Sequence, residues 1–374
     1  MIPLRSFTSR FLSRRLSAAA GCALALAGAD PAGDPAGSTR APFAVADLCL
    51  PAVATPVDWS ATPTLAFPDV ATLAAVVWSG HASGAAAGAM TAPPVQGVCE
   101  QVAFFARSAA YEAARADYLL EFGKCISVGG GFGSCLHDLN RAYREAVQLA
   151  REQYEGRLQV CDLLGSGAYN PDINPRDFSH VVDNRFWPLI PGRTLVYRKT
   201  TPEGVEETRV TTLPDTIVID GVRCAIVRDV VRLGDDLVED TDDWFAQHRN
   251  GDVWYMGELA RNYEDGQLVD LDGSWRAGTD GALPGVQMLR APRRGDAYRQ
   301  EFLLGEAEDL ARIVARGVSV TVRAGTFPDC LQTEETTPLE PDAREQKYYA
   351  AGIGMVLAVN HEGERTELVQ IIDP

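Results

Sequence analysis

From Cys99 to Cys161 the apolar positions recur at steps of three and four. Leu136, Leu139, Tyr143, Ala146, Ala150, Tyr154, Leu158 and Cys161 form one stripe, with Arg144, Glu145, Arg151 and Glu152 opposite. That period is helical. Upstream, Phe105, Ala109, Tyr118, Leu119 and Phe122 supply a facing stripe, and Gly129, Gly130, Gly131 and Gly133 separate the two. The pattern predicts an antiparallel helical hairpin over 98–164. After Phe186 the period drops to two. RTLVYRKT, ETRVTT, DTIVID, VRCAIVRDVVRL, DDWFAQHR, DVWYMGE, VSVTVRAGTF, QKYYAAGIG, GMVLAVN and RTELVQIID each alternate or are rich in β-branched and aromatic residues. Such runs read as strands. Pro202-Glu203-Gly204, Asp220-Gly221, Asn250-Gly251, Asp265-Gly266 and Glu362-Gly363 mark turns between them, as residues of that chemistry do.

Strands about ten residues apart, with no helix between them, predict an antiparallel β barrel or half-barrel over 183–374. The expected fold class is α+β. GEAEDLARIV (305–314) is the one stretch of this part that could hold a helical turn, and Trp275 to Gln300 reads as its longest loop.

The cysteines sharpen the hairpin. Pairs 99/161 and 125/135 share one midpoint, residue 130. Residues equidistant from the turn of an antiparallel hairpin lie opposite each other, so the spacing predicts Cys99–Cys161 and Cys125–Cys135 disulfides. A four-thiolate zinc site does not fit, because the two pairs are ~39 Å apart along the helices. Cys224 and Cys330 stand on separate strands, with pairing and burial as free thiols equally open. Cys49 is left without a partner.

Disulfides require an oxidising compartment, and the first residues agree with one. Arg5, Arg10, Arg14 and Arg15 precede an apolar run from Leu16 to Ala29 without an acid, which reads as an export signal over 1–29. Ala19-Ala20-Gly21-Cys22 offers lipid anchoring at Cys22 as a less favoured alternative, since the apolar run before it is short. The expected destination is periplasmic or extracellular. An Ala/Pro/Gly-rich stretch over 30–97 reads as a linker. No other run is long and apolar enough for a transmembrane helix.

The chain of 374 residues carries 34 basic and 51 acidic residues, net −17, which becomes −21 once the four arginines of the signal are removed. With no basic stripe to replace phosphate counterions, a nucleic-acid partner is excluded from the expectations.

Candidate chemistry is sparse. Asp235, Asp236, Glu239, Asp240, Asp242 and Asp243 crowd nine residues. The plain reading is a solvated acidic hairpin, with calcium at Asp240 and Asp242 as the alternative. Asp243, Glu258, Glu301, Glu306 and Glu308 are carboxylates available for acid–base work, and Glu258 with Glu301 or Glu306 would make a hydrolase pair. There is no nucleophile elbow, the five histidines lack metal-ligand spacing, and no cofactor is implied. Strand aromatics are more numerous. Trp187, Tyr197, Trp244, Trp254, Tyr255 and Tyr348 are the candidate lining of an apolar ligand pocket.

FWPLIPGRTLVY, VEDTDDWFAQHRNGDVWYMGE, YRQEFLLGEAEDLA and TPLEPDAREQKYYAAGIGMVL together resemble a loosely defined set of bacterial secreted or envelope proteins without an assigned activity. The resemblance covers the C-terminal β part. It implies an exported β domain and transfers no catalytic residue. The expected function is therefore a non-catalytic exported protein whose β domain binds an apolar ligand or an envelope protein. A carboxylate-dependent hydrolase and a calcium-rigidified structural protein are the alternatives.

Overall fold

The structure is a computed structural model that describes residues 97–127 and 131–374. The export segment, the linker up to residue 96, and Cys22 and Cys49 lie outside the described residues.

Two helices come first, α1 (Val98–Ser127) and α2 (Phe132–Leu164). Their facing stripes meet. Ala103, Ala114, Leu139 and Ala150 are buried, and the three alanines are small enough to let the backbones approach. Tyr118 packs on Tyr143 and Phe122, and Phe122 on Phe132, toward the turn. Both predicted disulfides are present, Cys99–Cys161 with Cα atoms 5.7 Å apart and Cys125–Cys135 with 5.8 Å. Gly131 begins α2 with φ +75°, a left-handed conformation that glycine adopts without strain.

The strands follow. They are β1 (Phe178–Ser179), β2 (Val182–Asn184), β3 (Trp187–Leu189), β4 (Thr194–Thr201), β5 (Gly204–Ile219) and β6 (Val222–Leu233). Next come β7 (Asp236–His248), β8 (Val253–Glu264), β9 (Gln267–Asp270), β10 (Trp275–Arg276), β11 (Leu283–Met288) and β12 (Ala297–Arg299). The last are β13 (Glu301–Phe302), β14 (Leu310–Val322), β15 (Gly325–Thr337), β16 (Glu340–Ala350), β17 (Gly354–Asn360) and β18 (Arg365–Ile372).

Sixteen of these form one antiparallel sheet that runs β12-β14-β15-β16-β17-β18-β4-β5-β6-β7-β8-β11-β13, with β1, β9 and β10 branching from it. Its two edges, β12 and β13, are consecutive in the chain. Ala297–Arg299 pairs with β14 and Glu301–Phe302 with β11, so one six-residue segment joins both edges and nearly closes the barrel. A sheet that curls on itself leaves few strand edges open to a stranger. At this seam Gly285 lies so close to the backbone of Gln300 and Glu301 that a Cβ there would overlap it. The β2–β3 hairpin forms a separate small sheet.

Three expectations change here. ETRVTT and DTIVID belong to one strand, β5, interrupted by a bulge between Thr212 and Thr216. GEAEDLARIV holds no helix. Its first residues form a turn closed by the Leu303–Ala307 bridge and the rest opens β14, because Leu310, Ala311 and Ile313 bury into the barrel where a helix would have no partner. The stretch from Trp275 to Gln300, expected as a loop, contributes β10, β11 and β12.

Candidate site in the barrel lumen

The inner face of the barrel is polar. Asp229 and Lys347 stand on β6 and β16, five strands apart, yet Lys347 lies near enough to act on the Asp229 carboxyl. Register carries the rest of the face outward from these two. Asp229 is opposite Thr241, Val227 opposite Asp243, and Val231 opposite Glu239. Lys347 is opposite Thr333, and Glu345 opposite Glu335. All of these are buried.

A bulge in β8 gathers the acids. Its pairing with β7 skips Met256, so Tyr255 meets Phe245 while Glu258 meets Asp243. Plain alternation would send Tyr255 and Glu258 to opposite faces; the extra residue brings both inward. Tyr255 stacks on Phe245, with ring centroids 4.8 Å apart, and donates its hydroxyl to Asp243 Oδ1 at 2.6 Å. Glu301 joins from the seam, close enough to raise the pKa of Glu258 and Tyr255.

Burial and mutual repulsion discourage ionisation in this group. Burial, then Asp243 and Glu301, push the Glu258 carboxyl well above the usual range. Asp243 is raised to about 6 by burial, with Asp229 adding to it. Asp229 is raised by burial and by Glu239.

Across the lumen Lys347 answers two carboxylates. Its Nζ lies 2.7 Å from Glu335 Oε2 and 3.3 Å from Glu345 Oε2, the second an ion pair without hydrogen-bond geometry. Burial works against the Lys347 charge, but these acids outweigh it and hold its pKa above the ordinary value. Tyr349 donates to Glu335 Oε1 at 2.8 Å.

At one end the lumen opens beside the β2–β3 hairpin. About 650 Å³ of space, partly open to solvent, is lined by Trp187, Leu195, Val210, Ile353 and Met355 above a floor that includes Asp229 and Lys347. Trp187 leans over this opening, 5.5 Å from the Phe245 ring and 5.9 Å from that of Tyr349.

Of the candidate aromatics, Trp187, Tyr197 and Tyr255 reach the lumen or its mouth. Tyr197 donates to the Met355 carbonyl at 2.9 Å. The other three do not reach it. Trp244 is opposite Gly257 on the outer face, and Trp254 packs on Phe178. Tyr348 accepts a hydrogen bond from Gln332 Nε2 at 3.1 Å, one residue out of phase with inward Lys347 and Tyr349. Among the candidate acids Glu258 and Glu301 converge inside, while Glu306 is exposed on the turn before β14. Glu308 is buried against Arg157.

The acidic run is solvated only at its turn, where Asp235 and Asp236 are exposed. Glu239, Asp240, Thr241 and Asp243 are all buried. Asp240 and Asp242 sit on the outer face, where Arg228 grips Asp240 at 2.6 and 2.7 Å and Arg261 holds Asp242 at 2.7 Å. Both of these carboxylates are therefore paired with arginines. Among the described residues no three His, Cys, Asp or Glu side chains group closely enough to hold a metal. Cys224 and Cys330 are free and buried.

Asp229, Glu335, Glu345 and Lys347 were not singled out from the sequence. A signal for Asp229 was there. In VRDVV its strand neighbours at two residues are Val227 and Val231, so an acid stands in the apolar phase of a strand.

No family model matches the chain, and no curated protein matches it. Among solved structures, one described as a "putative lipoprotein" from Parabacteroides distasonis ATCC 8503 is similar over 50% of this chain and 99% of its own, at 13% identity and a TM-score of 0.29. Likeness at that score carries no weight for fold or function, and what this protein does is read from the lumen itself.

Proposed function

We propose that the chain is an exported, non-catalytic binding protein whose barrel mouth takes a ligand with an apolar body. The observation that carries this reading is the opening itself. Trp187, Leu195, Val210, Ile353 and Met355 offer an apolar wall, and Asp229 and Lys347 a polar floor, the usual make-up of a small-molecule site. The two disulfides support export, since such bonds persist in oxidising compartments.

Octanol, octanoate and octylammonium, titrated against the intrinsic fluorescence of the full chain, test it. At least one should change the emission saturably, and Trp187→Phe should remove that change. Silence with all three would sink the reading.

A second reading is favoured by the meeting of Glu258, Asp243 and Glu301. A raised carboxyl beside others is the arrangement of a carboxylate-dependent hydrolase. Release of nitrophenol from a panel of nitrophenyl glycosides, lost in Glu258→Gln, is its expected result. No release above the buffer rate would end it.

A further inference from the structure

Resting on the binding role just given, we infer that the head of the ligand is uncharged and polyhydroxylic, a sugar or similar polyol, seated against Tyr298, Gln300 and Gln287 on the seam wall of the lumen. All three bury polar atoms that make no hydrogen bond: the Tyr298 hydroxyl and both amide atoms of each glutamine. Buried polar groups are nearly always satisfied, so three such residues at one wall mark a place where a guest completes the bonding.

Register turns Tyr298 inward. It lies opposite Ala311, and Ala311 opposite Glu335, the lumen carboxylate that Lys347 and Tyr349 engage. Arg299 turns the other way, its guanidinium 5.5 Å from the Tyr169 ring centroid and 4.8 Å from that of Phe302. Gln300 then returns to the inner face, where it is 1% exposed. Gln287 reaches the same wall from β11. Gly285 is opposite inward Tyr255 and Val286 is opposite Trp254 on the outer face, so Gln287 is back in the inner phase. It too is 1% exposed, and it stands two residues from the glycine that abuts the Gln300 backbone.

The charged groups of the lumen do not ask for a charged head. Lys347 lies between Glu335 and Glu345, Tyr255 donates to Asp243, and Thr241 donates to Glu239 Oε1 at 2.8 Å. Asp229 and Glu301 are engaged as well. A charged head would have to break such pairs or force ionisation on carboxyls where burial opposes it. The open groups at the seam are neutral: two carboxamides, each with two donor hydrogens and an acceptor oxygen, and one phenol. Every hydroxyl of a polyol both donates and accepts, so a few of them answer this mixed set, whereas a single alcohol or amide would leave part of it unmet.

Tyr349 links this wall to the mouth. It lines the opening and donates to Glu335, and that carboxylate adds to the effect of burial in raising the pKa of the Tyr298 hydroxyl. One ligand can therefore keep its apolar body against Trp187 and Met355 while its head reaches Tyr298 and the two amides.

Calorimetric titration of the full chain with octyl glucoside below its micelle concentration, octanol, octanamide, octylammonium and octanoate tests this. Octyl glucoside should bind about tenfold or more tightly than octanol. Gln300→Met should remove that advantage and leave octanol unchanged, and should not lower the melting temperature, since it deletes an unmet polar group; Gln287→Met serves if that variant does not fold. Octanol binding as well as octyl glucoside would overturn the polar head and leave the mouth as a binding site. An advantage that survives in both variants would place the head elsewhere and overturn the seam wall. Octanamide binding more tightly than octyl glucoside would overturn the polyol, and tighter octylammonium or octanoate would overturn the absence of charge. If no aliphatic probe binds, the binding role fails and this inference with it.

Discussion

Arg157 on α2 and Glu308 on the turn before β14 form a two-pronged ion pair, Nη2 to Oε1 at 2.6 Å and Nε to Oε2 at 3.0 Å, with both side chains shut off from water. The residues are 151 apart in sequence, and their meeting latches the helical hairpin to the barrel. The Gly305 N–H donates to the same carboxylate at 2.8 Å, Gln153 Nε2 donates to the Leu339 carbonyl at 2.9 Å, and Gly156 packs on Pro338. Removing one partner strands the other's charge in the interior. Glu308→Ala should therefore cost ~3–5 kcal/mol, whereas Arg157→Met combined with Glu308→Leu should cost far less. Urea midpoints of the three proteins check this, and equal losses in the single and double variants would contradict it.

The seam makes a sharper demand at Gly285. A Cβ there would overlap the backbone of Gln300 and Glu301, where no flexible side chain can yield. Gly285→Ala should lose ~1–3 kcal/mol through overpacking. Gly123→Ala is the control, since a Cβ on that α1 residue meets nothing within 4 Å. It should gain up to ~1 kcal/mol from helix propensity. Thermal melts that rank the two the other way would refute the closure described for the barrel.

The two staples close loops of unequal length, with sequence separations of 62 for Cys99–Cys161 and 10 for Cys125–Cys135. Loop-closure entropy then assigns ~4 kcal/mol to the outer bond and ~3 kcal/mol to the inner one. Replacing each pair by serine and comparing urea stability should show the larger loss for the outer pair. A larger loss for the inner one would mean that the hairpin tip, not the loop, sets the stability.

Stability should fall as pH rises from 5 to 7. Asp229, Asp243 and Glu258 have folded values above those of the unfolded chain, Asp243 at about 6. A carboxyl raised in this way contributes fully below its unfolded value near ~4, and that contribution is lost as pH climbs through the folded one. Asp240 and Glu364, lowered by Arg228 and Lys199, act in the opposite sense, and their contribution disappears only as pH drops below the ordinary carboxylate range. Melting temperatures at constant ionic strength should decline across the window, less steeply in Glu258→Gln. A rise would contradict the account.

Burial pushes the Cys224 thiol up to about 12. A thiol both buried and protonated is a poor nucleophile. Alkylation followed by peptide mass mapping should find Cys224 unmodified in the folded protein and modified in urea. Labelling of this residue under native conditions would show that the wall of the barrel opens.

Some of this was legible beforehand. The apolar stripe from Leu136 to Cys161 and the common midpoint of the cysteine pairs specified the hairpin, because a helix rises by a constant amount per residue and an antiparallel turn makes equidistant residues neighbours. The period-two runs specified strands. Less legible was GEAEDLARIV, where a helix-forming composition lost to the burial of Leu310, Ala311 and Ile313 in the barrel.

What the sequence determined by itself, then, is the helical hairpin, its two disulfides and most of the long strands, since these depend on local period and spacing. Which face of each strand looks inward was decided only by the closed sheet. Asp240 and Asp242 go to arginines outside while Glu239 and Asp243 go to the lumen, one residue out of phase, and the Met256 bulge turns Glu258 in beside them. The physical reason is that the two faces of an isolated strand are equivalent. Only closure through Gly285, Gln300 and Glu301 gives the sheet an inside, and with it an enclosed set of acids.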